Sequence, residues 1–431
     1  MNHISYYAVY LVPFLVLAAF YLRRHFKRHK ISSEIWKEAV ESGLTEPPTL
    51  HPDFNPALCI GSGACVKVCP EAAIGIINGK AALVNPAVCI GHGACESTCP
   101  MKAIRLVFGT EKRGMDIPQV SRNFETNVPG IFIAGELGGM GLIRKAAEQG
   151  RQAMEHIAKR AGGGTDYDVV IVGAGPAGIA ASLAAQRLGL KFVTLEQEDS
   201  VGGTTYHYPR NKIVMTAPMN LPLIGQIKVR EISKESLMEL WEGVLAKVPL
   251  PIRYGERMEE IKHEAGGFEV RTPVGTYRAK SVLLAIGRRG VPRKLGVPGE
   301  ELPKVVYKLI EADQYRNQHV VVVGGGDSAL EAALDVCAEP GTWVTLSYRG
   351  AAFNRVKLKN RKRLDEAIAT ERLFLMLESQ VVEIKSKKIK LRIGDAVKEL
   401  PNDAVIVCAG GELPTPFLKK IGVMVETRHG T

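Results

Sequence analysis

Two glycine-rich turns, each set between an apolar run and a helix-forming stretch, dictate most of what this chain can become. Residues 168–196 read DVVIVGAGPAGIAASLAAQRLGLKFVTLE. The run Val169–Val172 opens into Gly173-x-Gly175-x-x-Gly178, an alanine-rich stretch follows, and Glu196 closes the next apolar run. Strand, tight turn, helix and distal acid are the parts of a dinucleotide-binding unit. The glycines let backbone approach a pyrophosphate, the helix N-terminus supplies N–H donors, and the acid holds ribose hydroxyls. Gly173, Gly175, Pro176, Ala177, Gly178 and Glu196 are the candidate ligands. Residues 320–331, VVVVGGGDSALE, repeat the pattern, with Gly324, Gly326, Asp327, Ser328 and Ala329 at the turn. The next apolar run, Trp343–Leu346, ends in Ser347-Tyr348-Arg349 with no acid. An arginine in that place suits a 2′-phosphate. Arg349, with Arg355 and the positive field of residues 357–363, therefore favours NADPH over NADH, while most of that basic run reads as a solvated helix face. The class expected is α/β, with two dinucleotide-binding domains.

Six of the eight cysteines crowd between Cys59 and Cys99, which argues for metal ligation rather than a disulfide framework. Residues 59–70 read CIGSGACVKVCP and residues 89–100 read CIGHGACESTCP, an internal repeat. Each half runs on to an Ala-Ile pair, Ala73-Ile74 and Ala103-Ile104. This resembles the two-cluster bacterial ferredoxin, whose motif is C-x2-C-x2-C-x3-C-P. The resemblance implies a small α+β ferredoxin domain over residues 51–108 and two iron–sulfur clusters. It also implies that the last cysteine of each run serves the other cluster: Cys59, Cys65 and Cys99 hold one, and Cys89, Cys95 and Cys69 the other. The chain departs from the motif at the second position of each run, where Ser62 and His92 stand. Three outcomes stay open: His92 as an imidazole ligand, with Ser62 a less favoured alkoxide, in [4Fe–4S] clusters; [3Fe–4S] clusters on three thiolates; or a domain with one cluster or none. Zinc is a minor alternative.

Gly202 and Gly203 follow Glu196 closely, as in disulfide-reductase-like flavoproteins, which assigns the first turn, with Gly203, to FAD. The order of first fingerprint, Ala285-Ile286-Gly287, second fingerprint and Ala409-Gly410-Gly411-x-x-Pro414-Thr415 resembles the thioredoxin-reductase-like flavoproteins over roughly residues 111–431. The resemblance implies two Rossmann-like domains, an FAD domain of residues 109–288 with 402–431 and an inserted NAD(P) domain of residues 289–401. Such proteins usually end in a segment like T-N-V-P-G-x-F-x-A-G-D and a helix covering the flavin. Here that segment stands upstream: residues 126–158 read TNVPGIFIAGELGGMGLIRKAAEQGRQAMEHIA. Its lead-in, Phe108-Gly109-Thr110, echoes the terminal His429-Gly430-Thr431. A circular permutation follows, with residues 109–160 as the flavin-covering segment and Gly135 and Glu136 at the family's contact to the FAD ribityl or pyrophosphate. The redox dithiol of disulfide reductases is missing. After Gly203 the chain reads TTYHYPR, no C-x-x-C occurs, and Cys337 and Cys408 sit in apolar surroundings that read as structural. Thioredoxin reduction by the usual route is not expected. Tyr206, His207 and Tyr208 read chiefly as turn packing.

Residues 4–22 read ISYYAVYLVPFLVLAAFYL without a charge, and RRHFKRHK follows at 23–30. At ~1.5 Å per residue such a run is about as long as the bilayer hydrocarbon is thick. One N-terminal transmembrane helix is expected, with residues 1–30 as anchor and basic flank and 31–50 as linker. The positive-inside rule then puts everything after it on the cytoplasmic side of the inner membrane. A cleaved signal would need a basic start and a small-x-small site, which are lacking. The net charge of +11 and pI of about 9.2 come without an aromatic-basic motif, so nucleic acid is not an expected partner. The whole reads as a membrane-anchored flavin oxidoreductase passing electrons between NAD(P)H, FAD and iron–sulfur clusters, similar to ferredoxin–NAD(P) reductases. No catalytic side chain is named, since hydride transfer to flavin needs no protein acid or base. Its expected partners are membrane lipid and a one-electron carrier or membrane redox protein; a homodimer is compatible. The competing readings are a flavin monooxygenase-like or quinone reductase, and a redox subunit of a larger membrane complex.

Overall fold

The computed structural model describes residues 3–41, 45–47, 50–89, 91, 93–110, 114–139, 141–162, 164–208, 213–215, 218–229, 231–288, 290–353, 356 and 358–430. The chain forms two units, Met1–Gly114 with His429–Thr431, and Met115–Arg428.

The first unit opens on one long helix, α1 (His3–Glu41). Among the described residues no helix is long and apolar enough to cross a membrane. The expected span at 4–22 is the first half of α1, and the side chains of residues 3–11 lie outside the described ones. The expected linker also begins later than residue 31. The basic run 23–30 and the stretch SEIWKEAVE favour helix, and no glycine or proline stops them before Gly43. The second half of α1 is bound to the cysteine-rich body. Ser32 is buried, and its Oγ accepts the Ile76 N–H at 3.0 Å. His29 Nδ1 accepts the Asn78 N–H at 3.2 Å. A side chain at Gly75 would come within 2.5 Å of Ser32 Oγ, so glycine is needed there for the helix to dock.

The body itself contains β1 (His51–Phe54), α2 (Ala64–Val68), β2 (Ile74–Ile77), β3 (Lys80–Leu83), α3 (Ala94–Thr98) and β4 (Ile104–Val107). Strand β1 pairs antiparallel with β4, and β2 with β3. The sequence repeat is a structural one. Gly63 and Gly93 precede α2 and α3 with φ of +73° and +77°, and Ala72 and Lys102 match at +50° and +49°. Cys65, Cys95, Ile74, Ile76 and Ile104 share its small core. The two echoing tripeptides touch, because the Gly430 N–H donates to the Phe108 carbonyl at 2.8 Å.

The second unit holds two large sheets, accompanied by smaller two- and three-stranded ones. In chain order come β5 (Met115–Pro118), β6 (Ile131–Ile133), α4 (Ile143–Ile157), β7 (Tyr167–Val172), α5 (Pro176–Arg187), β8 (Phe192–Leu195), β9 (Ile252–Arg253), β10 (Glu260–Glu264), β11 (Gly267–Arg271) and β12 (Thr276–Leu284). They continue with β13 (Val305–Val306), β14 (His319–Val323), α6 (Asp327–Cys337), β15 (Trp343–Ser347), α7 (Leu358–Ala369), β16 (Leu373–Met376), β17 (Ala404–Val407) and β18 (Val425–Arg428). The first sheet runs β9-β8-β7-β12-β11-β10, and β6 pairs parallel with the end of β12. The second is the parallel sheet β13-β17-β14-β15-β16. In each, the chain leaves the central strand for one neighbour and returns on the other side, β8 then β12 about β7, and β15 then β17 about β14. A switch of that kind opens a crevice at the carboxyl end of the central strand, where both glycine turns lie.

The sheet order moves one expected boundary. Residues 402–431 were expected to rejoin the flavin domain, but β17 lies at the heart of the second sheet, between β13 and β14. The apolar run Ala404–Val407 is buried on both faces, which a central parallel strand requires. The return follows it: β18 pairs with β5, Arg428 opposite Met115.

The upstream segment does join the first sheet. Beyond β6, α4 lies on α5 so closely that a Cβ at Gly150 would stand 2.0 Å from the Ala177 carbonyl oxygen. Trp241, on the helix Lys234–Lys247, packs with Ile143 and Ala147 of α4 and Ile179 and Leu183 of α5. Gly150→Ala should therefore cost about 1–3 kcal/mol by overpacking. A thermal melt that left the variant as stable as the parent would show that the helices do not meet this closely.

Candidate functional site

The first glycine turn is built from backbone packed on backbone. A Cβ at Gly178 would stand 1.8 Å from the Gly173 carbonyl oxygen, and one at Gly173, whose φ is +103°, would stand 2.6 Å from the Ala285 carbonyl oxygen. Gly175 faces Gly203, with no side chain between: a Cβ on Gly203 would approach the Gly175 Cα to 3.1 Å. Pro176 and Ala177 begin α5. Gly135 follows β6 with φ +84° and ψ −150°, a conformation open to glycine alone. A Cβ there would meet the Ala177 Cβ at 3.1 Å, and the Gly135 N–H donates to Gln149 Oε1 at 2.8 Å. The Glu136 carboxylate reaches to within 4.0 Å of where a Gly287 side chain would begin. The predicted FAD residues from three separate stretches thus meet at one place. A bare cradle of glycines at a helix N-terminus fits a pyrophosphate, so the residues present fit the cofactor.

Glu196 has a second role that the sequence did not reveal. It is buried, and its Oε2 accepts the Ala174 N–H at 2.7 Å while its Oε1 accepts the Glu198 N–H at 3.0 Å. Burial pushes its pKa up, and the two N–H donors pull the other way. The acid therefore braces the glycine loop as well as standing at the ribose position. On the turn after Gly203, His207 Nε2 lies 3.1 Å from Glu198 Oε1 and its Nδ1 contacts Lys308 Nζ. That is packing between neighbouring segments, as read for this turn.

The second glycine turn lies between β14 and α6. A Cβ at Gly324 would stand 2.4 Å from the Cys408 carbonyl oxygen and 3.0 Å from the Ala329 Cβ, whereas Gly326 faces open space. Ser328 and Arg349 are exposed, Arg349 just beyond the end of β15. Arg355 lies outside the described residues. Two neighbours went unrecognised in the sequence. Tyr348 lays its ring against Gly325 and Gly350 and stacks on Phe353 at 5.2 Å. Asn360, inside the basic run read as a solvated face, is buried and donates through Nδ2 to Asp327 Oδ1 at 2.8 Å and Glu331 Oε1 at 3.0 Å. Its signal was being the one uncharged polar residue among the cations of KLKNRKR.

The cysteines gather as two trios. Cys59, Cys65 and Cys99 line one cavity together with Ser62. The Cys65 thiol is pushed up, first by burial and then by Cys59 and Cys99 beside it. Cys95 rises to about 11, first by burial, with Cys89, Cys69 and Cys65 adding to it. Cys69 also acts on Cys89, together with the Glu71 carboxylate. The exchange of last cysteines between halves is therefore present. Backbone donors face the sulfurs: the Ala81 N–H points at Cys59 Sγ at 3.4 Å and the Ala103 N–H at Cys99 Sγ at 3.3 Å. All eight cysteines are free. Among the described residues no three His, Cys, Asp or Glu side chains converge tightly enough for a single metal ion. Thiols gathered about one cavity are the ligands an iron–sulfur cluster takes. His92 lies outside the described residues. Cys337 and Cys408 stand apart, each with its thiol pushed up by burial, Cys408 to about 11, which marks them as inert.

Two switch-point sheets with a glycine cradle each, joined in one chain to a cysteine-trio body, define a pyridine-nucleotide flavoprotein with an iron–sulfur module. The pyridine nucleotide-disulphide oxidoreductase family matches residues 170–431, and the chain belongs to it. A 4Fe-4S dicluster domain matches residues 51–100. The ferredoxin–NADP reductase of Picrophilus torridus is 30% identical over 257 residues, 57% of this chain and 73% of its own length. The bacilliredoxin reductase Bdr of Bacillus subtilis is 27% identical over 269 residues, 61% of this chain and 82% of its own. Among solved structures, the bacillithiol disulfide reductase Bdr of Bacillus cereus superposes with a TM-score of 0.51 at 25% identity, over 60% of this chain and 82% of that one. The chain is an NAD(P)-dependent flavin oxidoreductase that carries an iron–sulfur domain.

Glu196→Gln leaves one backbone N–H facing an amide donor, at a cost of about 1–3 kcal/mol. Purified variant should hold clearly less FAD per chain than the parent, read from flavin absorbance after denaturation; equal flavin content would remove the bracing role.

Proposed function

We propose that this enzyme moves electrons between NADPH and its two iron–sulfur centres by way of FAD, acting as a reductase with its own ferredoxin on the same chain. One observation carries the reading: six of the eight cysteines form the two trios, and the remaining two, buried Cys337 and half-buried Cys408, are thiols pushed up by burial without a dithiol partner. Bound FAD supplies the conversion of a two-electron hydride into single electrons. The chain's own residues hold and orient: the Gly173–Gly178 cradle with Gly135 and Gly203 binds one dinucleotide, and Gly324–Ala329 the other. The relatives named ferredoxin–NADP reductase support an iron–sulfur partner for the flavin, and here we place that partner in residues 51–108. NADPH is favoured over NADH by exposed Arg349 at the end of β15, where no acid stands. The first cluster site has three cysteines and Ser62, and we assign His92 to the corresponding place in the second.

Membrane attachment belongs to the same proposal. Phe14, Leu17, Phe20 and Phe26 of α1 are exposed, and such a surface followed by the cations of residues 23–30 suits acyl chains edged by anionic headgroups. The chain then works at the cytoplasmic face of the inner membrane and exchanges electrons with a membrane redox carrier.

Anaerobic NADPH titration, followed by absorbance and EPR, should bleach the flavin first and then develop reduced-cluster signals. Bleaching with clusters that stay oxidised would favour a monooxygenase-like or quinone reductase instead. In the same titration Arg349→Ala should weaken NADPH about tenfold or more, near 1.5–3 kcal/mol for a charge-assisted contact, and leave NADH unchanged. Flotation with phosphatidylglycerol vesicles should carry the full chain upward, and Phe14→Glu with Leu17→Glu should leave it at the bottom; flotation of both would dismiss α1 as the attachment.

A further inference from the structure

We propose that the first iron–sulfur site, held by Cys59, Cys65 and Cys99, keeps one iron that no residue of the chain ligates, and that this iron takes a small external thiolate. The inference rests on the iron–sulfur reading above and concerns the fourth corner of one cluster.

The three thiols line a cavity whose wall also includes Ser62 and Gly63, and which reaches the surface beside Ile60 and Met101, 64% and 44% exposed. Ser62 occupies the corner that a cysteine fills in the full motif. It sits between Gly61 and Gly63, with φ of +67° and +73°, and is itself exposed. A Cβ at Gly61 would stand 2.0 Å from the Gly79 carbonyl oxygen, so the turn that presents Ser62 is pinned. The Ser62 Oγ accepts the Ala64 N–H at 3.4 Å, a bond that its alkoxide is not needed to make. An aliphatic hydroxyl holds its proton far more tightly than a thiol, and iron in a sulfide cage prefers soft thiolate sulfur. The other cysteines of this unit, Cys69, Cys89 and Cys95, belong to the second trio. The corner is therefore left to water, which an external thiolate displaces.

Charge at the same place selects an anion. Lys80 Nζ donates to the Cys59 carbonyl at 2.6 Å. The Arg28 guanidinium lies 3.7 Å from where a side chain on Gly63 would begin. Each cation lies against a residue of the wall, Lys80 at Cys59 and Arg28 at Gly63, and the apolar rim of Ile60 and Met101 suits the carbon skeleton of a small thiol. The step is a ligand substitution with no electron transferred. The thiol gives its proton to solvent, its sulfur lone pair forms the bond to iron, and the water leaves with its own electron pair.

The test uses the full chain purified without oxygen, with iron and sulfide measured first. Mild oxidation should release an iron that 57Fe(II) replaces under reducing conditions. His92→Cys completes the second motif, so label entering that variant reports the first site, at about one iron per chain. Its Mössbauer doublet should shift when 2-mercaptoethanol is added. Ser62→Ala should keep both the label and the shift. Ser62→Cys combined with His92→Cys should lose both, because the new cysteine closes the corner. Clusters that take up no label in the His92→Cys protein, or a doublet that the thiol leaves unmoved, overturn this inference alone. A doublet altered by Ser62→Ala before any thiol is added gives the corner to the serine oxygen and overturns it as well. Protein without iron and sulfide overturns it together with the electron-transfer reading.

Discussion

No atom larger than hydrogen fits between Gly178 and the carbonyl oxygen of Gly173, and the flavin-binding body is organised around that contact. Because the two backbones touch, α5 can start directly at the carboxyl end of β7 and aim its free N–H groups at the crevice. The same closeness recurs outward. Gly173 lies on Ala285, Gly175 on Gly203, Gly135 on Ala177, and Gly150 on the Ala177 carbonyl. The contacts bring together four stretches of chain, the Gly173–Gly178 turn, Gly203, Ala285 and the upstream segment with Gly135 and Gly150. Glu196 then ties the loop from below through two backbone N–H groups. A side chain inserted at any of these points would push apart elements that pack directly on one another.

That network also explains how the upstream segment can serve a site so far along the chain. Strand β6 enters the sheet beside β12, and Gly135 and Gly150 are the two places where the segment comes against α5. The terminal strand β18 lies against β5, and Gly430 bonds to Phe108, so the end of the chain meets the beginning of that segment. Adjacent ends of this kind are what a permuted order of segments requires.

How far the sequence was readable depended on whether a feature is local. The glycine turns, the cysteine repeat and the TNVPGIFIAG stretch each carry their geometry within a few residues, and the structure places them as read. The trios also emerged, because the resemblance to two-cluster ferredoxins implies the exchange of Cys69 and Cys99. What escaped was set by tertiary neighbours. The end of α1 could not be told from a linker, since Ser32 shows its purpose only when β2 lies beside it. Strand β17 looked like a return to the flavin domain, because an apolar run does not say which sheet it enters. Asn360 hid among cations, and its burial follows from Asp327 and Glu331 on another helix. Gln149 looked like an ordinary helix-surface residue until Gly135 turned out to need its carbonyl.

The two halves of the cysteine-rich body repeat in backbone but differ in their charged neighbours. Lys80 and Arg28 stand by the site of Cys59, Cys65 and Cys99, whereas Glu71 bears on Cys89 of the other. Adding an electron makes a cluster more negative, so cations ease the step at the first site and a carboxylate resists it at the second. An internal symmetry has thus been given a polarity, like two identical cells wired at unequal voltage. Under the proposed electron transfer, charge entering the pair would settle toward the end against which α1 is packed.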